Sequence, residues 1–144
     1  MRTVRHFVSG RELNRIYPHV TVMDAVHFLV NHNTGTCAVF EGPRLVGVFS
    51  ERDLLQRVVA RGKDPAKTLV SEVMTKNPVS VFADQDVDAC LLKMTQARCR
   101  HLPVFDGDRY LGMVSMRDLM MDCADELKHE LDELKHYMNG EAAV

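Results

Sequence analysis

No stretch of this 144-residue chain approaches the 18 consecutive apolar residues of a membrane-spanning helix, so spanning a bilayer is not expected. The opening Met1-Arg2-Thr3-Val4-Arg5-His6-Phe7 lacks the apolar core of a secretory signal. Cysteine is sparse. Cys37, Cys90, Cys99 and Cys123 form no C-x-x-C pair and match no zinc-ligand spacing. Cys37, Cys90 and Cys123 fall in apolar patterns and read as buried, reduced thiols, which makes the cytosol the expected compartment. No basic block interleaves with aromatics, the net charge is -2 and the isoelectric point about 6.4, so bulk electrostatic binding to nucleic acid is not expected. The chain also has no GxxxxGK[ST] phosphate loop and no recognisable nucleophile–base pair. His19, His27 and His32 follow no metal spacing, and His129 and His136 read as surface residues.

What is present is the balance of an ordinary globule, 46% hydrophobic and 26% charged, and a repeat. Gly47-Val48-Phe49-Ser50-Glu51-Arg52-Asp53-Leu54 returns 65 residues later as Gly112-Met113-Val114-Ser115-Met116-Arg117-Asp118-Leu119. The register holds upstream without a gap: Thr21-Val22 faces Asp86-Val87, and Ala38-Val39-Phe40 faces Pro103-Val104-Phe105. Such self-similarity sets the unit of folding. A unit of roughly 60 residues buries only about 60% of its unfolded surface and is marginal alone, so the halves are expected to share an interface.

Each half reads as strand–helix–strand–strand–helix, an α/β (α+β) plan with crossovers covering the sheets. In the first half a lead-in helix over Thr3 to Val8 precedes a strand at Arg15-Ile16-Tyr17. Thr21 caps a helix to about Asn31, with Val22, Ala25, Val26 and Leu29 on one face. Strands at Cys37 to Glu41 and Arg44 to Phe49 flank a Gly42-Pro43 turn, and Ser50 caps a helix from Glu51 to about Arg61. The second half repeats this: a short helix over Thr68 to Met74, a strand over Pro78 to Val81, and a helix capped by Asp86 to about Ala97. Strands at His101 to Phe105 and Arg109 to Val114 follow, and a helix opens at Ser115. That last helix meets no breaker before Asn139-Gly140, so from Met116 to Met138 it spans roughly 35 Å at 1.5 Å per residue. Leu127, Leu131, Leu134 and Met138 line one face. The stripe either packs on its own domain or forms a seam to a second subunit; two heptads are too short for an independent coiled coil.

The repeated polar residues carry the chemistry. Ser50 and Ser115 end strands and open helices, where free backbone N–H groups favour an anionic group. Asp53 and Asp118 stand three residues on, about one turn later, on the same side. An ionised carboxylate accepts two hydrogen bonds, which suits a vicinal diol such as a ribose. Arg52, Arg98, Arg100 and Arg117 are candidates for phosphate contact, or solvated helix residues in the case of Arg52 and Arg117. Ser-x-x-Asp is equally a plain N-cap arrangement, and two in-register copies favour the binding reading.

Gly-x-x-Ser-x-Arg-Asp-Leu, twice, each copy preceded by a Val-Phe strand and a short turn, resembles a tandem pair of CBS (cystathionine β-synthase) domains, the Bateman module. Val73-Met74-Thr75, Asn77-Pro78-Val79 and Arg100-His101-Leu102-Pro103-Val104 are also typical of the second domain of such pairs. The resemblance covers roughly residues 3 to 122. It implies domains at 1–65 and 66–122, packed about a pseudo-twofold axis with two clefts between their sheets, and a helical extension at 123–144. It implies that Asp53 and Asp118 anchor ribose, supported by Ser50 and Ser115. The base is then expected against the opposite half: Val79, Ser80, Arg100 and His101 for the Asp53 site, and Arg15, Ile16, Tyr17, Gly35 and Thr36 for the Asp118 site. Arg100 and His101 are the expected phosphate contacts.

The function expected from these features is a stand-alone, bacterial-type sensor of an adenosine nucleotide that signals to an effector protein. The ligand is AMP, ADP, ATP or NAD, with S-adenosylmethionine also compatible, and no catalytic cofactor or metal is expected. Family members often dimerise through their helices, so a homodimer is expected too. A protein–protein interaction module with empty clefts is the alternative. An enzyme would need a base or a metal site that the sequence does not offer.

Overall fold

A computed structural model describes residues 2–8 and 15–140; the last four residues of the expected helical extension lie outside them. The first half comprises β1 (Arg15–Ile16), α1 (Val22–Asn31), β2 (Thr36–Glu41), β3 (Arg44–Ser50) and α2 (Glu51–Asp53). A connecting segment carries α3 (Val70–Val73) and β4 (Thr75–Lys76). The second half comprises β5 (Val81–Phe82), α4 (Val87–Ala97), β6 (His101–Asp106), β7 (Arg109–Ser115) and α5 (Met116–Met138). Local chemistry sets the helix starts. Thr21 Oγ1 accepts from Asp24 N at 3.1 Å, Asp86 Oδ1 from Asp88 N at 2.7 Å, and Ser115 Oγ from Asp118 N at 3.1 Å. The expected bounds of α1, α4 and α5 hold.

The strands form two sheets, β1-β2-β3-β4 and β5-β6-β7. In each, a parallel pair is followed by an antiparallel hairpin, and a register shift falls at matching places, Val39/Phe40 and Val104/Phe105. The repeat thus extends to the irregularities of the ladder.

Three elements depart from the sequence expectation. The strand expected over Pro78 to Val81 is Val81–Phe82 instead, so Val79 and Ser80 lie in unpaired chain. Asn77 takes a left-handed conformation (φ 50°) and proline has no N–H to give a ladder, so pairing begins only at Val81 against Val104. Second, Thr75–Lys76 adds an unexpected fourth strand, antiparallel to β3 through Gly47 and Val48. Gly47 makes this possible, since a Cβ there would lie 2.8 Å from both Met74 Sδ and the Thr75 carbonyl oxygen. Third, the helix expected from Glu51 to Arg61 winds as α only over Glu51–Asp53 and as a π-helix over Leu54–Val59, before Gly62 (φ 67°) stops it. Cys37 and Cys90 are buried as expected, whereas Cys123 is half-buried on the edge of the core.

Packing exchanges the lead-in segments. The first-half core, including Val22, Leu29, Val39, Phe49 and Val58, takes in Val70, Val73 and Met74 from the connecting segment. The second-half core, including Val87, Met94, Leu102, Val104 and Leu119, takes in Val4 from the N-terminal 3-10 turn Val4–Phe7. Backbone bonds fasten both exchanges: Val4 N to Gln85 O at 2.9 Å, and Val70 N to Val20 O at 2.9 Å. Arg2 also pairs with Asp122 on α5. Fully burying a valine is worth about 1.5–3 kcal/mol, so each half leans on a segment from outside its own repeat. A third cluster joins the sheets: Ala38, Phe40 and Tyr110, with Phe40 and Tyr110 ring centroids 5.0 Å apart and the Arg15 guanidinium 4.3 Å from the Phe40 ring.

Helix α5 buries only Leu119. Leu127, Leu131, Leu134 and Met138 are 61, 56, 54 and 75% exposed. The stripe therefore does not pack on its own domain.

Candidate functional site

The two Ser-x-x-Asp segments occupy matching ends of β3 and β7, yet their carboxylates live differently. In the first half the capping box closes in both directions. Asp53 N donates to Ser50 Oγ at 3.3 Å, and Asp53 Oδ2 accepts from Ser50 N at 3.0 Å and Ser50 Oγ at 3.2 Å. Asp53 Oδ1 accepts from Thr75 Oγ1 on β4 at 3.1 Å and lies 3.7 Å from Arg57 Nε, with the Asp53 side chain 8% exposed. Arg57 in turn donates to the carbonyls of Val73 and Met74 at 3.3 and 2.9 Å. In the second half only the forward bond forms, from Asp118 N to Ser115 Oγ. Asp118 is exposed, and its carboxylate accepts no hydrogen bond among the described residues.

His101 and Arg100 stand between the two helix starts. His101 pairs in register with Ser115, and Met116 N donates to the Arg100 carbonyl at 2.7 Å, which places both beside Asp118 in their own sheet. His101 also feels the charge of Glu51 from the other half. Burial pushes the His101 imidazole below its ordinary value, with the Asp118 carboxylate pulling the other way. Arg52 crosses between the halves, donating to the Arg98 carbonyl at 3.0 Å, where Arg98 ends α4 in a left-handed conformation. Its guanidinium is thus already engaged. Arg100 and Arg117 are exposed, and neither guanidinium makes an ion pair or hydrogen bond among the described residues.

The remaining predicted positions are spread more widely. The Ile16 side chain belongs to the first-half core. The Gly35 carbonyl accepts from Glu51 N at 2.9 Å, and Thr36 Oγ1 donates to the Phe49 carbonyl at 3.4 Å, so both support the first helix start from within their own half. Tyr17 lines a cleft of about 390 Å³ with His19, Phe40 and Leu69. Ser80 lines another of about 500 Å³ with Arg44, Phe82 and Phe105, while its carbonyl accepts from Lys93 Nζ at 2.6 Å. Val79 is 42% exposed. Both clefts sit at the hairpin-turn ends of the strands, and neither is lined by Asp53 or Asp118. Thr75, Arg57 and Glu51 escaped the sequence reading. Thr75 and Arg57 act only through a strand and a π-turn that local pattern does not announce.

Burial pushes the Cys37 thiol up to about 12, with the Asp53 charge adding to the effect, and pushes Cys90 up to about 11. Among the described residues, no group of three or more His, Cys, Asp or Glu side chains comes together to hold a metal ion.

A family model for the CBS domain matches residues 4–60 and again residues 70–125. The mitochondrial CBS domain-containing protein CBSX3 of Arabidopsis thaliana is 33% identical over 125 residues, covering 83% of this chain; the chain spans 61% of that relative's length. Among solved structures, a protein with CBS domains from Burkholderia ambifaria superposes with a TM-score of 0.81 at 31% identity, over 85% of this chain and 93% of its own. The CBS domain pair of protein MJ0100, solved in complex with 5'-methylthioadenosine and S-adenosyl-L-methionine, shares the fold with a TM-score of 0.77 at 24% identity, over 87% of this chain and 98% of its own.

Proposed function

The chain belongs to the CBS-domain family as a tandem pair, and from that premise we propose that it binds an adenosine-type ligand at a helix start and passes the ligand state to an effector protein. The observation that carries this reading is the exposed Asp118 carboxylate at the start of α5, whose charge acts on the neighbouring His101, with Arg100 and Arg117 also exposed in these two segments. A carboxylate that accepts no hydrogen bond among the described residues can accept from a ribose diol, and exposed arginines in the same segments suit phosphate. The adenosine-type ligands carried by the MJ0100 pair support the same ligand class.

The module is read as regulatory, without catalysis of its own. Thiols held as high as those of Cys37 and Cys90 are not nucleophiles at neutral pH. Free cysteines with no disulfide among the described residues favour the cytosol. Among the described residues no helix is long and apolar enough to cross a membrane.

A thermal-shift panel of AMP, ADP, ATP, NAD and S-adenosylmethionine tests the ligand. At 100 times its dissociation constant a ligand adds about 2.7 kcal/mol, which raises the Tm by several degrees in a domain of this size. If no member of the panel at millimolar concentration moves the Tm, the sensing reading fails.

The assembly proposed is a homodimer to which α5 contributes. Its stripe of Leu127, Leu131, Leu134 and Met138 is more than half exposed in the single chain. Burying four such side chains is worth roughly 6–10 kcal/mol gross, before association costs. Light scattering is expected to return twice the chain mass for the wild type and a single chain mass after truncation at Ala124. A wild type that is monomeric at micromolar concentration rejects the dimer, and a truncated form that stays dimeric removes α5 from its explanation.

A further inference from the structure

We infer that α5 pairs with the α5 of a second copy in parallel and in register, along a stripe from Met120 to Met138. Both CBS pairs of the dimer then lie at the same end of the helix pair. This rests on the homodimer reading above and adds the direction of the contact and the residues that set it. At about 100° per residue, Met120, Ala124, Leu127, Leu131, Leu134 and Met138 fall within an arc of about 80°. Their spacings alternate between four and three, which is the seam of a heptad pattern, and all six are exposed. The domain holds a different side of the helix. Leu119 is buried and Cys123 half-buried against the second-half core, and Asp122 pairs with Arg2. His129 and Glu133 pair at 3.1 Å on the side opposite the stripe. The core thus fixes the first turns of α5, so the helix does not depend on pairing alone to form.

Charge decides the direction. Exposed Lys128 and Lys135 flank the stripe on one side, and exposed Glu130 flanks it on the other. In a parallel pair in register, the residue at Glu130's place meets the residue five further on in the partner, so Glu130 faces Lys135 of the partner subunit, twice by symmetry. In an antiparallel pair like sides face each other, and Lys128 is set against Lys135 of the partner subunit. The first arrangement attracts and the second repels.

Disulfide trapping on the full chain reads the direction. Leu127→Cys and Met138→Cys are made separately and oxidised with copper phenanthroline, with the wild type and its own thiols treated alongside. The two positions lie about 16 Å apart along the helix. In the parallel pair each new thiol meets its own copy, so both variants are expected to link into dimers that mass spectrometry maps to the substituted position. In an antiparallel pair at most one of them can do so. Linking by one or neither, in a chain that light scattering shows to be dimeric, overturns the parallel pairing and leaves the dimer standing. Lys135→Glu sets Glu130 against a like charge and is expected to weaken the dimer about tenfold in sedimentation equilibrium. Glu130→Lys combined with Lys135→Glu restores the pair in reverse and is expected to return the affinity to within about threefold of the wild type. A Lys135→Glu dimer as tight as the wild type or tighter, or no recovery in the double variant, likewise overturns the direction alone. A wild type that is monomeric at micromolar concentration, or a form truncated at Ala124 that stays dimeric, overturns the inference together with the reading it rests on.

Discussion

The two halves carry the same eight-residue motif at the same strand end, and they use it in opposite ways. In the first half the aspartate is a buried joint between α2, β4 and the π-turn. In the second it is an exposed carboxylate at the head of a 23-residue helix. A motif copied within one chain therefore need not keep one role. In the first half β4 lies beside β3 and brings Thr75 to the Asp53 carboxylate.

The largest effect expected comes from removing the joint. Asp53→Ala strips the partners from Ser50, Thr75 and Arg57 in a buried setting, and hydrogen bonds to a charged group contribute about 1.5–3 kcal/mol each. A loss of about 3 kcal/mol or more lowers the Tm by roughly 10 °C. Asp118→Ala, at the matching position, is expected to leave the Tm within about 2 °C. Calorimetric melting of both variants decides it, and equal losses would end the distinction between the halves.

A smaller effect probes β4 itself. Gly47→Ala drives a Cβ against the Thr75 carbonyl, a backbone atom that cannot swing away, so β4 must shift outward. Overpacking of this kind costs about 1–3 kcal/mol. Faster hydrogen exchange at Thr75 and Lys76, with the second sheet unchanged, is the expected signature. Unaltered exchange in β4 would show that the close approach is not what holds it.

The smallest effect is a dependence on pH that belongs to the second half alone. His101 occupies the place that Thr36 holds in the first half, and burial keeps its imidazole below the ordinary 6.5. As pH falls below that value the unfolded chain takes up the proton before the folded one. His101 therefore lowers stability as pH drops through the folded value and has no such effect above about 6.5. His101→Thr is expected to show a smaller fall in Tm between pH 7.5 and pH 5.5 than the wild type. An equal fall in both would place the sensitivity elsewhere.

Much of this is legible in the amino-acid sequence. The caps at Thr21, Asp86 and Ser115, the two hairpins and the bounds of α5 follow from side chains that bond to backbone a few residues away and from apolar periodicity, both of which are local. The repeat announced the paired motif and the two sheets. The exchange of Val4 and Val70 between halves, the π-turn after Asp53 and the pairing of β4 were not legible, because each depends on contacts between segments distant along the chain. Sequence alone thus determined that there are two Ser-x-x-Asp helix starts; only the tertiary structure decided that Asp53 is buried against Thr75 and Arg57 while Asp118 is exposed. Thr75 lies 22 residues from Asp53 and meets it through a strand pairing that needs a glycine at position 47, a contact between segments too far apart along the chain for local pattern to announce.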